Sequence, residues 1–140
     1  MTPDPLGRAG WRLVEAGWKP GPATVERGAA LVSFTDFTFA RWRDLPGAWL
    51  AAARLRRGWP AQDGAVGLML WARPWRRRSG SISIWRSEAE LRRFIASPEH
   101  VEIMRGYRRR MSGTAVTWRA DPFICADVLG EARRRLAARS

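Results

Sequence analysis

The chain has 140 residues, a length typical of one domain that can bury a sizeable core. Its 46% hydrophobic content argues against global disorder, and the net charge of +12 comes mainly from arginine, because Lys19 is the only lysine. The single cysteine, Cys125, excludes an intramolecular disulfide and a cysteine-based metal site. Since the first residues lack the apolar stretch of a secretory signal and no run approaches the ~20 apolar residues of a bilayer span, we expect a cytoplasmic protein outside the membrane.

Residues 1–28 are rich in proline and glycine and predict an extension that packs loosely over the domain. Residues 11–16 are compatible with a short helix, and Trp11 and Trp18 are expected to anchor the extension. Residues 31–39 are rich in aromatic and β-branched side chains separated by Ser and Thr, which predicts a strand with a bulge near its Asp36.

A helix is predicted after this strand. Asp44 followed by Pro46 is typical of a helix start in which the aspartate is the N-cap and the proline lies in the first turn. The apolar spacing continues over residues 48–57, and Pro60 prevents the helix from extending further.

A hairpin of two strands comes next. Residues 65–71 (AVGLMLW) are almost entirely apolar, which is typical of a strand buried on both faces. Residues 81–85 (SISIW) alternate, so that Ser81, Ser83 and Trp85 share one face and the two isoleucines share the other.

The remaining elements are predicted from caps and periodicity. Ser87 and Glu90 form a capping box that opens a helix, and a second helical piece is expected over about residues 99–110. Residues 114–119 predict the last strand. The tail, residues 127–139, predicts a helix with its arginines on one side.

The predicted order βαββαβ is that of an α+β, ferredoxin-like fold, an antiparallel sheet with helices on one face. The strand at residues 65–71 is apolar on both sides, so something must also cover the face that these helices leave open. A second copy of the chain is the simplest cover, which predicts a homodimer forming an α/β barrel. Residues 29–124 would form this domain, between the extension at residues 1–28 and a basic C-terminal helix at residues 125–140.

Residues 83–100 contain a specific pattern: a strand ending in W-x-S, then E-x-L, a helix with phenylalanine, and S-x-x-H opening the next helix. The matching residues are Trp85, Ser87, Glu88, Leu91, Phe94, Ser97 and His100. This pattern resembles the antibiotic-biosynthesis-monooxygenase family, with looser similarity over residues 31–118. The resemblance implies a dimeric α/β barrel, in a family that includes cofactor-independent oxygenases of polyphenolic substrates and haem-degrading oxygenases.

Three side chains are candidates for catalysis. His100 is the only histidine, and it could be a general base or a structural residue bonded to the preceding turn. By the resemblance it could also ligate haem. Asp36 could be a buried carboxylate with a raised pKa, or a bulge residue facing solvent. Tyr107 is a candidate for transferring a proton or orienting the substrate.

Aromatic side chains are candidates for the walls of a pocket. We expect Trp85, Trp49 and Trp71, with Phe37 beside them, to bind a flat aromatic ligand. The polar Ser83 is predicted on the face of Trp85, and a mixed polar and aromatic face favours a cavity. Ordinary core packing is the alternative for each tryptophan.

These features favour a small-molecule enzyme, a cofactor-independent monooxygenase-like protein that acts on an aromatic or polycyclic substrate. Such an enzyme needs a substrate that can be deprotonated to an electron-rich anion, and therefore a base near an apolar cavity. The alternatives are a haem-binding protein or haem-dependent monooxygenase using His100, and a non-catalytic binding or assembly module with a basic surface. Nucleic acid is not an expected partner, because the signature of RNA-recognition domains is absent and solvated helix faces explain the arginine clusters. No metal site is predicted.

Overall fold

The computed structural model describes residues 14–25 and 28–138. The elements in chain order are β1 Val14–Pro20, β2 Ala30–Phe39, α1 Asp44–Arg57, β3 Ala65–Arg73, β4 Arg78–Trp85, α2 Glu88–Ile95, α3 Pro98–Tyr107, β5 Met111–Ala120 and α4 Cys125–Ala138. Short 3₁₀ turns lie at Trp59–Ala61 and Pro74–Arg76. No helix in the described part of the chain combines the length and the apolar character needed to cross a bilayer.

The five strands form one antiparallel sheet in the order β1-β3-β4-β2-β5. The strands β2 to β5, with α1 between β2 and β3 and the helices α2 and α3 between β4 and β5, form the predicted ferredoxin-like unit. The α+β fold class is therefore confirmed.

Strand β1 was not predicted. It pairs with the outer edge of β3, where unpaired backbone groups offer hydrogen bonds to any extended segment. The helix-compatible interpretation of residues 11–16 is wrong for residues 14–16, which belong to β1, and the rest of that segment, with Trp11, lies outside the described residues. Trp18 is confirmed as an anchor: its indole packs on Gly67, where an added Cβ would lie 1.8 Å from the ring.

Two local predictions at element ends are wrong. The helix α1 begins at Asp44 itself, without a side-chain cap, because the Asp44 carboxylate instead accepts a hydrogen bond from Arg110 Nη1 at 2.8 Å. The predicted turn at Ser112 and Gly113 belongs to β5, since its pairing with β2 continues to Met111. The Ser87 cap is confirmed, because its Oγ accepts a hydrogen bond from the backbone N–H of Glu90 at 3.4 Å.

The sheet is covered on both faces by this single chain. The helices α1, α2 and α3 lie on one face, called here the cavity face. The helix α4 packs on the other, called here the α4 face, through Val128, Ala132 and Leu136. The strand β3 is buried on both sides, as predicted. The helix α4 covers this face within the single chain, so the burial of β3 does not by itself require a second copy.

Candidate functional site

A cavity of about 140 Å³ lies between the cavity face of the sheet and the helices. Its walls are mostly apolar, with a row of small hydroxyl side chains from β2 and β4. The apolar lining is Phe37, Phe39, Ala48, Ala52, Leu55, Trp59, Leu68, Leu70, Phe94, Ile103, Met104 and Met111, and the polar side chains are Thr35, Ser79, Ser81, Ser83, His100 and Tyr107.

The alternation of strand side chains decides which residues line the cavity. In β2, Thr35 and Phe37 point to the cavity face, whereas Phe34 lies in the core of the α4 face. The same two-residue period in β4 directs Ser81 and Ser83 to the cavity. The predicted polar face of this strand therefore borders empty space and not a solid core.

The hydroxyl groups of this row are bonded to one another and to the sheet. Thr35 Oγ1 lies 2.9 Å from Ser81 Oγ and accepts the Ser81 backbone N–H at 2.8 Å. Ser83 Oγ accepts a hydrogen bond from Trp85 Nε1 at 2.9 Å. An indole N–H can only donate, so the Ser83 hydroxyl keeps its own proton for another acceptor.

His100 lines the cavity and has a defined tautomer. Its Nδ1 lies 3.1 Å from the carbonyl oxygen of Ile95, and because a carbonyl can only accept, Nδ1 carries the proton and the neutral ring has its lone pair on Nε2. Burial lowers the pKa of His100, and the bond to Ile95 opposes that effect only in part. The imidazole is therefore neutral at pH 7 and able to accept a proton.

Tyr107 and Phe37 also line the cavity. The Tyr107 ring meets Phe39 edge-on at 5.9 Å between centroids, and the guanidinium of Arg110 lies 4.5 Å from the tyrosine ring centre. The structure thus brings together four of the predicted site residues: His100, Tyr107, Ser83 and Phe37.

The three tryptophans predicted as pocket walls lie elsewhere. Trp85 is completely buried behind the cavity, where it packs between Trp59 and Phe94 and donates a hydrogen bond to Ser83 Oγ. Trp49 packs against the same core cluster without lining the cavity. Trp71 lies on the α4 face, stacked on Phe34 at 6.1 Å.

Asp36 is also separated from the cavity. It forms a two-point ion pair with Arg78, in which Nε lies 3.0 Å from Oδ1 and Nη2 bonds to Oδ2. Both residues are buried on the α4 face, where the guanidinium lies 5.7 Å from the centre of the Trp71 ring. The β2–β4 register is regular at Asp36, so the predicted bulge is absent there. A carboxylate placed in this way cannot abstract a proton from a ligand in the cavity.

Trp59 belongs to the site and was missed by the sequence analysis. Its side chain is 1% exposed, lines the cavity, and meets Trp85 and Phe94 edge-on at 5.1 and 5.6 Å. Its position between Gly58 and Pro60 suggested only a helix end. The sequence signal for a buried Trp59 was an aromatic residue at the end of a helix, shortly before the apolar strand β3.

The cavity continues into a more open groove of about 410 Å³. Phe37, Met104 and Met111 border both spaces. Arg105 and Arg108 line the groove, and within the described residues neither guanidinium forms an ion pair. A ligand too long for the cavity would therefore leave it between apolar walls and a positive edge.

No protein-family profile matches the chain, and no curated protein matches it. Solved structures do. SnoaB, a cofactor-independent oxygenase from Streptomyces nogalater, is 18% identical over 69% of this chain and 97% of that protein, with a TM-score of 0.53. An antibiotic-biosynthesis-monooxygenase-like protein from Deinococcus radiodurans is 9% identical over 67% and 95%, with a TM-score of 0.59. The haem-degrading enzyme LmHde from Listeria monocytogenes is 16% identical over 79% and 70%, with a TM-score of 0.57.

The chain has the fold of the antibiotic-biosynthesis monooxygenases. At these identities the likeness establishes the fold and leaves the reaction open. The resemblance predicted from residues 83–100 is confirmed at this level, and the motif has a structural basis. Ser87 and Ser97 cap the helices α2 and α3, and His100 lies in the first turn of α3, where its backbone N–H donates to Ser97 Oγ.

The monooxygenase fold is shared with a haem-degrading enzyme, so the fit of haem to this site can be tested. The Nδ1 of His100 is bonded to a backbone carbonyl, as is usual for a metal-ligating histidine. The cavity of about 140 Å³, however, is smaller than the roughly 300–1,000 Å³ of sites for drug-sized ligands. The cavity alone therefore cannot hold a porphyrin, which would have to extend into the groove, and we derive no step through haem.

Proposed function

We propose that the chain is a small-molecule enzyme that oxygenates an aromatic substrate in the cavity without a cofactor. The observation that carries this proposal is a neutral imidazole at the wall of a half-open, largely apolar cavity. Concave apolar sites with a few polar groups are the usual form of small-molecule sites, and a base held in such a site can generate a reactive anion.

The reaction begins with proton transfer to Nε2 of His100 from an activated ring carbon, such as a CH₂ group beside a carbonyl. The resulting carbanion is delocalised over the ring system and transfers electrons to dioxygen, which then bonds to the same carbon. Loss of water leaves a new carbonyl group, so that CH₂ and O₂ become C=O and H₂O. The proton held by His100 leaves with the water. The apolar walls keep bulk water away from the anion.

The other predicted site residues would orient the substrate. The Ser83 hydroxyl has its proton available, and Tyr107 presents a phenol to the same space. Phe37 borders both the cavity and the groove. An apolar cavity of about 150 Å³ holds one benzene ring, so a polycyclic substrate would place one ring in this cavity of about 140 Å³ and extend into the groove.

Oxygen uptake tests the proposal. The protein, without added cofactor, is mixed with a hydroxyanthrone, which has an acidic CH₂ between two aromatic rings, and dissolved oxygen is followed with an electrode. We expect uptake above the buffer rate, with formation of the corresponding quinone. His100→Gln should reduce the rate about hundredfold, the usual scale of general base catalysis, whereas Arg109→Gln, a change outside the cavity lining, should not. An equal rate in the wild type and His100→Gln would contradict the proposal.

Two of the earlier expectations remain proposals beside this function. A homodimer would have to use a surface other than the α4 face, or displace α4 from it. Haem binding through His100 would appear as a shift of the Soret band of added hemin that is lost in His100→Ala, and the small cavity leads us to expect no such shift.

A further inference from the structure

The groove that continues the cavity combines apolar side chains from the sheet with two arginines from α3. The strands contribute Phe37 and Gly113, which are partners in the register of β2 and β5. An added Cβ at Gly113 would lie 2.6 Å from Phe37 Cδ1, so the absence of a side chain keeps this part of the groove open. Arg105 and Arg108 line the same groove, and both are exposed.

The helical period of α3 divides its side chains between the cavity and the groove. His100 and Tyr107 line the cavity, Arg105 and Arg108 line the groove, and Met104 borders both spaces. Residues three apart are neighbours on a helix surface, so both guanidinium groups can reach one ligand group. At a rise of 1.5 Å per residue, the two arginines follow His100 by about 7 and 12 Å along the helix. That distance corresponds to two or three fused rings.

Basic residues at the end of a helix often serve only the helix itself, but Arg110 already has that role. Its Nη2 donates to the carbonyl oxygen of Gly106 at 2.6 Å, and its backbone N–H donates to that of Tyr107 at 2.8 Å. In the described part of the chain, the guanidinium groups of Arg105 and Arg108 form neither a hydrogen bond nor an ion pair. The end of α3 therefore does not account for these two side chains.

No carboxylate among the described residues that line the groove compensates its positive charge. Glu99 and Glu102, on the same helix, line neither the groove nor the cavity. Asp44 is bonded to Arg110, and Asp36 lies on the opposite face of the sheet. A negatively charged group in the groove would therefore meet two guanidinium groups and no acidic side chain.

We propose that Arg105 and Arg108 bind a carboxylate on the side chain of the aromatic substrate, so that the site prefers aromatic acids to neutral compounds of the same shape. The inference rests on the proposed function and adds an ionised group to its substrate class. Guanidinium groups bind carboxylates through paired N–H bonds. Phe37 and Met104, which border both spaces, would contact the rings between this carboxylate and His100. A substrate held at both ends keeps one orientation, with its acidic CH₂ group at the imidazole.

The experiment compares 2-naphthylacetate with 2-naphthylacetamide, which has the same ring system and a neutral end group. Dissociation constants are measured by ligand-observed NMR, at neutral pH and low salt, for the wild type, Arg105→Gln and Arg108→Gln. The measured quantity is the ratio of the amide constant to the acid constant. We expect a ratio of about ten in the wild type, the scale of two exposed ion pairs, and a fall of about threefold in each variant.

General attraction of anions by a protein of net charge +12 is the competing explanation, and Arg109 is the matched control. It lies beside Arg108 in the chain, is also exposed, and lines neither the cavity nor the groove. Arg109→Gln removes the same charge without removing a groove side chain. The ratio should therefore change by less than about twofold in this variant, because solvent and salt screen a charge that does not contact the ligand.

Equal affinity of the wild type for the two compounds would overturn the inference, as would equal falls of the ratio in all three variants. Failure of both compounds to bind the wild type would overturn it as well. Oxygen uptake by the wild type with the hydroxyanthrone, which has no carboxylate, tests the proposed function separately. Uptake without a preference for the acid would remove only the carboxylate site. A preference for the acid that depends on Arg105 and Arg108, without uptake, would support this site and contradict the oxygenation.

Discussion

The two faces of the sheet differ in packing: the helix on the α4 face forms a solid core with the strands, whereas the helices on the cavity face leave a cavity. On the α4 face, Val128, Ala132 and Leu136 recur every four residues and pack into the aliphatic and aromatic side chains of the strands. On the cavity face, three helices surround a space of about 140 Å³. Both faces are built from alternate residues of the same strands, so the difference comes from the helices and from the row of small hydroxyl residues on β2 and β4.

The polar groups of the two faces differ in the same way. On the α4 face, the charges of Asp36 and Arg78 satisfy each other. On the cavity face, no hydrogen bond among the described residues uses Nε2 of His100 or the proton of the Ser83 hydroxyl. A face whose polar side chains bond to each other stabilises the fold. A face whose polar side chains have unused donors or acceptors around a cavity can bind a ligand and take part in its chemistry. Three predictions test this contrast.

The largest effect is expected from breaking the ion pair on the α4 face. Arg78→Met leaves the buried Asp36 carboxylate without its partner, which should lower the free energy of unfolding by about 3–5 kcal/mol. Urea denaturation measures this loss. Arg92→Met, which breaks the exposed ion pair with Glu88, should cost less than about 1 kcal/mol. Oxygen uptake with the hydroxyanthrone should be the same in folded Arg78→Met as in the wild type, and a selective loss of uptake would mean that Asp36 belongs to the site.

The same type of substitution, alanine to leucine, should have different effects on stability on the two faces. Ala132→Leu forces a larger side chain into the solid core, where Ala132 is fully buried, and should cost about 1–3 kcal/mol. Ala52→Leu adds the same atoms at the cavity wall, so stability should be unchanged or raised while ligand affinity falls about tenfold or more, a loss of roughly 1.4 kcal/mol. Urea denaturation measures the stability of both variants, and NMR titration measures the ligand affinity of Ala52→Leu. Equal destabilisation by both changes would mean that the cavity closes in solution.

The smallest effect concerns the titration of His100. Burial lowers the pKa of this imidazole below its ordinary value, so the unfolded chain binds more protons than the folded chain once the pH falls toward about 6.5. The free energy of unfolding should therefore decrease between pH 7 and 5.5, by less than about 1.4 kcal/mol per pH unit. In His100→Gln this slope should become smaller. Identical slopes for the two proteins would show that the ring is not held neutral by burial.

Prediction from the sequence succeeded where a local pattern, such as the two-residue alternation of a strand or a capping box, determines the structure. The alternation in residues 81–85 placed Ser83 on one face of β4 and the isoleucines on the other, and the capping box placed the start of α2 at Ser87. The strand β1 was missed because its residues are mostly exposed or half-buried and it has no apolar period of its own. It forms because the edge of β3 pairs with it.

Apart from β1, the sequence alone determined the order of strands and helices, and it determined the alternation of faces along β4, because both follow from local periods and caps. Only the tertiary structure decided which distant element covers each face. The apolar stripe of α4 is compatible with many partners, and its packing on the sheet covers the face for which the sequence led us to expect a second copy. The packing of α4 also buries Asp36 and Trp71 on the α4 face. The 3₁₀ turn after α1 places Trp59 at the cavity. Such contacts join residues far apart in the chain, and no local pattern records them.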